Sequence, residues 1–281
     1  MAAMSDMAPR GGYVAQLLAV SWRALAQLVR SPSHSRRAEA ARRLARHSLW
    51  LSLAGAALVI VLMAGFDQTE IQLMPPRGTP GLWPIRSLTD FGKDEYLLSV
   101  MGAALVVLAF VAAGLRGRRR ALLLGFGTRL QYVFLAVAVS ALVTEILKYG
   151  IGRGRPFVGG KADPFNFVPF EGTGAYASLP SGHAAAACAL AFAVSALWPR
   201  LRVFMVAYAI VILLTRLVLL AHHPSDVVAG ALVGTVGAMA VRYWFAARGL
   251  GFAIGADGTI VPLSGMASDR LKRVARGTSA P

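Results

Sequence analysis

Three short stretches carry the side chains with chemistry to offer. The first, Lys148 to Pro156 (KYGIGRGRP), puts Lys148, Arg153 and Arg155 among three glycines, with Lys161 just beyond. Arginine presents a planar fork matched to phosphate oxygens and lysine a compact charge, while glycine lets backbone approach a ligand. Taken alone, these cations are better explained as lipid-interface anchors. In the second, Pro180-Ser181-Gly182-His183 opens an apolar run. Ser181 is a favourable helix cap, the first turn offers unpaired N–H groups and a positive dipole end, and His183 can exchange a proton near neutrality. The third runs from Thr215 to Asp226 (TRLVLLAHHPSD) and places Arg216 inside an apolar stretch, where a charge is costly unless it is paired or functional. His222 and Asp226 stand four apart, within reach of a carboxylate–imidazole contact. Helical spacing would instead bring His223 onto the face of Arg216, and residue chemistry does not choose between the two histidines. Together the clusters supply cations, a helix N-terminus, histidines and one carboxylate, an inventory suited to phosphoryl transfer.

The elements that position these clusters follow from composition. Of 281 residues 56% are hydrophobic, the mean hydropathy is +0.58 and the net charge is +16. So apolar a chain reads as a polytopic membrane protein, and cations clustered between apolar spans point to anionic lipid rather than nucleic acid. The one cysteine, Cys188, excludes an internal disulfide, and no Cys/His metal pattern is present. Six segments are apolar enough to cross a bilayer: 48–66, 96–115, 129–149, 183–198, 203–221 and 226–246, the fourth being short. The first begins too far from the N-terminus for a signal peptide and is read as retained. The expected fold is all-α, a six-transmembrane-helix bundle over 48–246. Before it lies a segment 1–47, whose stretch 13–30 has apolar residues at helical spacing and reads equally as an interfacial helix or a frayed tail. After it comes a tail, 247–281.

Lysines and arginines set the orientation. Eight arginines precede the first span, five occupy the stretch 116–129, two lie at 200 and 202, and six basic residues run from Arg242 near the end of the last span through the tail, against six in the opposite loops. Both termini are therefore expected in the cytoplasm, and the three clusters share the outer face.

These residues resemble the type 2 phosphatidic acid phosphatase family, whose signature is Lys-x6-Arg-Pro, Pro-Ser-Gly-His and Ser-Arg-x5-His-x3-Asp. Lys148 to Arg155-Pro156, Pro180 to His183, and Arg216, His222 and Asp226 match it in order and spacing, with Thr215 in place of serine. The resemblance selects His222 as the nucleophile that forms a phosphohistidine, Asp226 as its orienting partner and His183 as general acid. Lys148, Arg155, Ser181, Gly182 and Arg216 hold the phosphate, and neither metal nor cofactor is used. It implies a lipid phosphatase, its partner a phosphorylated lipid: phosphatidic acid, phosphatidylglycerol phosphate, a polyprenyl diphosphate or lipid A. The compact, Arg/Ala-rich chain and the Lys/Arg bias lead to the expectation of a bacterial inner membrane with a periplasmic site. A phosphotransferase on the same scaffold and a non-catalytic lipid-binding protein are the rivals. Glu145 is expected to pair with Lys148, Arg153 to meet a second phosphate or sit solvated in its loop, and the stretch 164–170 (PFNFVPF) to line the lipid entry or pack the loop.

Overall fold

The computed structural model describes residues 12–32, 34–156, 158, 163–255 and 259–263; Lys161, Arg10 and the tail beyond 263 lie outside the described residues. Helices dominate, as the apolar spans require: a backbone in hydrocarbon must satisfy its own hydrogen bonds. Among the described residues five helices are long and apolar enough to cross a membrane. They are α2 (His34–Gly65), α5 (Asp94–Gly114), α6 (Gly117–Ile151), α8 (Arg202–Val218) and α9 (Pro224–Arg248). A sixth apolar helix, α7 (Gly182–Leu197), has 16 residues and packs against α6, α8 and α9. The short helices α3 (Asp67–Leu73) and α4 (Trp83–Thr89) lie between α2 and α5.

One boundary differs from expectation. The cation-rich stretch 116–129 is the start of α6 rather than a loop, since it holds no proline and its leucines continue the helical run. The segment 13–30 forms α1 (Tyr13–Val29), which packs against α5. Its Tyr13 hydroxyl donates to Phe110 O at 2.9 Å and Leu28 O accepts from Trp244 Nε1 at 3.0 Å. Val14, Leu18 and Trp22 leave one apolar face exposed. A short hairpin of β1 (Phe252–Ile254) and β2 (Ile260–Pro262) follows α9.

Small residues set the helix spacing. Ala184, Ala185, Ala186, Ala187 and Ala189 of α7 are fully buried. A Cβ on Gly230 of α9 would stand 2.3 Å from Ser181 O, and one on Gly234 would stand 2.1 Å from Ala185 O. Without aqueous driving force inside a bilayer, close approach of small residues is what holds helices together. α6 ends at Gly152, in the left-handed region (φ 59°), its N–H on Lys148 O at 2.9 Å. A Cβ there would fall 1.8 Å from Val168 O. Glycine thus both stops the helix and admits the 164–170 loop onto it.

Candidate active site

The chain leaves α6, enters α7 and turns from α8 to α9 at one end of the bundle, so the three clusters meet there. Lys148, in the last turn of α6, is paired with Glu145 (Nζ to Oε1, 2.5 Å), as one-turn spacing predicts. Its Nζ lies 3.0 Å from where a Cβ on Gly182 would stand, so that glycine lets the ammonium reach the first turn of α7. Arg155 is tied to backbone: Nε donates to Gly174 O at 2.8 Å and its own N–H to Ala175 O at 2.9 Å. Burial and the neighbouring Arg77 charge lower the pKa of Arg155. Arg216 is buried and donates from Nη1 to Thr89 Oγ1 at 2.8 Å. Thr215 donates to Ile212 O at 2.6 Å and lies 3.0 Å from the Thr89 hydroxyl, so its substitution for serine keeps the hydroxyl in use.

Ser181 Oγ, His183 Nε2 and Arg216 Nε are buried and have no hydrogen-bond partner among the described residues. Buried polar groups are ordinarily satisfied, so orphans on three neighbouring motif residues point to a polar ligand. Lys148, Arg155 and Arg216 all lie within electrostatic reach of both His183 and His222.

α8 stops at Val218 and α9 starts at Pro224, so helical spacing does not extend to the two histidines. His222 is 2% exposed, and its Nδ1 sits 2.9 Å from Ser178 O. A carbonyl only accepts, so Nδ1 carries the proton and Nε2 keeps the lone pair. Burial first, then the Arg216 and Arg155 charges, hold the imidazole well below its ordinary range. It is therefore neutral at physiological pH, with a lone pair available for nucleophilic attack. His223 caps α9, its N–H donating to Asp226 Oδ2 at 2.9 Å.

Asp226 is placed differently from the sequence expectation. Its carboxylate meets Arg153 Nη1 at 2.6 Å, Ser178 Oγ at 2.6 Å and the His223 N–H, and makes no hydrogen bond to the His222 ring. Arg153 is also corrected. It is fully buried, neither solvated nor open to a second phosphate, because Asp67 (2.8 Å) and Asp226 claim its guanidinium. Asp67 further accepts from Ser225 N at 3.0 Å and from the Ser225 hydroxyl. In the 164–170 stretch Phe165 and Phe170 are exposed. Sequence reasoning missed Asp67, Thr89, Ser178 and Ser225. The one local hint was two acids, Asp67 and Glu70, close together in a chain with 13.

Glu70 lies beside this network, buried, with neither oxygen partnered among the described residues. Burial, then the Asp67 and Asp226 charges, push its carboxyl from 4.5 up to about 8. The folded state then binds a proton that the unfolded chain has released, so stability falls as pH rises from 4.5 towards 8. Glu70→Gln is expected to match the wild type near pH 4.5 and to melt above it at pH 9. Thermal unfolding in detergent checks this, and melting curves that stay parallel with pH would refute it.

Among the described residues no three His, Cys, Asp or Glu side chains group as a metal site. The sequence model of the PAP2 superfamily matches residues 129–250. Over 127 residues the chain is 40% identical to a protein of Rhizobium johnstonii named "Lipid A 1-phosphatase", covering 45% of this chain and 52% of the relative. Over 176 residues it is 35% identical to a protein of Rhizobium etli with the same name, covering 61% of this chain and 74% of that relative. The match thus spans about half of the first relative's length. No solved structure matches.

Proposed function

The chain belongs to the PAP2 superfamily, and from that membership we propose that it is a membrane phosphatase acting on a phosphorylated lipid, the 1-phosphate of lipid A foremost. The observation that carries the reading is the group of orphaned donors, Ser181 Oγ, His183 Nε2 and Arg216 Nε, around a neutral His222 with Nε2 free. The substrate class rests on the two relatives' names.

In the proposed reaction His222 Nε2 attacks phosphorus, forming an N–P bond as the bond from phosphorus to the lipid oxygen breaks. His183 delivers a proton to that oxygen. Lys148, Arg155, Arg216, Ser181 and the Gly182 N–H take up the charge spread over the phosphoryl oxygens. Water then gives its proton to His183 and attacks phosphorus; the N–P bond breaks, releasing phosphate and restoring neutral His222. No step calls for a metal or cofactor. Residues 48–246 form the catalytic membrane unit, flanked by the segments 1–47 and 247–281. The excess of Lys and Arg at the opposite end of the bundle supports cytoplasmic termini and a periplasmic site in a bacterial inner membrane. Phosphate at headgroup depth leaves the acyl chains in the bilayer, with Phe165 and Phe170 at the entry.

The test is phosphate release by the purified protein, in detergent with excess chelator, from lipid A 1-phosphate, phosphatidic acid, phosphatidylglycerol phosphate and a polyprenyl diphosphate. Lipid A is expected to exceed the others by roughly tenfold or more in kcat/KM, with no effect of the chelator. Release from none of the four, or transfer to an acceptor in place of release, would overturn the proposal.

A further inference from the structure

Among the described residues the His222 ring makes one hydrogen bond, and its acceptor belongs to a residue outside the three motifs. His222 Nδ1 meets only the carbonyl of Ser178, which fixes both the tautomer and the ring plane. Ser178 lies in an irregular stretch between α6 and α7, so something must fix it in turn. Its N–H donates to Arg153 O at 3.0 Å and its hydroxyl to Asp226 Oδ2 at 2.6 Å. Asp226 is anchored by Arg153 Nη1 at 2.6 Å. Arg153 is anchored by Asp67 at 2.8 Å and by Pro164 O at 2.7 Å from Nη2. Asp67, Arg153, Ser178, Ser225 and Asp226 are all 0% exposed. Solvent does not compete for these groups, and low dielectric makes each contact directional.

We infer that Asp67 and Arg153 are positioning residues, which through Asp226 and Ser178 hold the Ser178 carbonyl on His222 and so aim Nε2 at phosphorus. The inference rests on the phosphohistidine reading above. It places the control of the nucleophile partly on α3, which precedes the 129–250 family region. It also gives Asp226 an indirect route to His222, through Ser178. The charges explain why the chain tolerates a test. Asp67 and Asp226 together hold two negative charges against the one positive charge of Arg153. Neutralising Asp67 therefore leaves a balanced Arg153–Asp226 pair, not a bare buried charge. Freed from Asp67, Arg153 can swing towards Asp226 and loosen that carboxylate's grip on Ser178.

The experiment compares wild type, Asp67→Asn and Ser178→Ala for kcat and KM on a lipid phosphate that the wild type hydrolyses, with rapid-quench trapping of phosphohistidine. Ser178→Ala removes only the hydroxyl link, so it serves even where Asp67→Asn fails to fold. Misplacement of a reacting group by about 1 Å costs on the order of 100-fold, so each variant is expected to lose about 10- to 100-fold in kcat. The trapping rate should fall by the same factor, while KM stays within about threefold of wild type, because the phosphate-holding groups are untouched. Unchanged kcat in both variants, or kcat, KM and melting temperature falling together in both, would overturn the clamp alone. A wild type that hydrolyses lipid phosphate without trapping on histidine would overturn the phosphohistidine reading and the clamp with it.

Discussion

His222→Ala is expected to lower lipid-phosphate turnover by on the order of 10⁴-fold or more and to abolish the trapped phosphoenzyme. The loss should be this large because the proposed route has one nucleophile: with Nε2 gone, water must attack the lipid phosphate directly, helped only by the cations and the α7 N-terminus. The fold should survive. Among the described residues the ring makes one hydrogen bond, to Ser178 O, and a typical hydrogen bond contributes about 1 kcal/mol net. His223→Ala is the matched control. Its imidazole is equally buried and has no partner among the described residues, but its role here is backbone capping through its N–H. That variant should still form the phosphoenzyme. Phosphate release and acid-quench labelling of purified proteins decide the matter. Turnover in His222→Ala within tenfold of wild type, or labelling lost only in His223→Ala, would move the nucleophile to the neighbouring ring.

That residue chemistry and spacing left these two histidines unresolved, until the resemblance selected His222, has a physical cause. Periodic reasoning assumes a continuing helix, and the helix carrying Arg216 breaks at Val218. The apolar spans were legible because burial in hydrocarbon is written as a long local pattern: five of the six fall on helices long and apolar enough to cross a membrane, and the fourth falls on the 16-residue α7. The start of α6 was not, because arginine favours helix as much as leucine does and only the apolar portion of the helix stood out. The residues of the candidate site stood out in the sequence because each cluster carries its chemistry within a few positions. The clamp behind them did not. Asp67 is 86 positions from Arg153 and 158 from Ser225, and Thr89 is 127 from Arg216. A buried carboxylate, a threonine and a serine acquire meaning only from partners that tertiary folding supplies. Arg153 shows the same effect in reverse: its neighbours in sequence suggest a second-phosphate contact or a solvated loop residue, and its neighbours in space, Asp67 and Asp226, neutralise it.

The second large effect is expected from one methyl group far less conspicuous than any catalytic side chain. A Cβ at Gly230 would meet Ser181 O at 2.3 Å and Ala184 Cβ at 3.0 Å. The nearer of these is backbone, so no rotamer change relieves the clash; α7 and α9 must move apart. They are joined just there by the Ser181 N–H on Asp226 O at 2.9 Å. Separation would displace the cap of α7, with the Gly182 N–H and His183, from the loop that carries His222. Gly230→Ala is therefore expected to cost about 1–3 kcal/mol by overpacking, and activity by on the order of 100-fold through misalignment. Gly125→Ala supplies the contrast. It lies inside α6 with no atom within 4 Å of the added Cβ. There the same methyl should leave turnover unchanged and stabilise by up to about 1 kcal/mol, from helix propensity. Melting temperature and turnover of the pair separate close packing from generic glycine effects: if Gly230→Ala keeps both at wild-type values, the contact between α7 and α9 does not set the site. If it loses turnover at a temperature where it remains folded, then the spacing of two membrane helices is as much a part of the phosphate site as the residues that would touch phosphate.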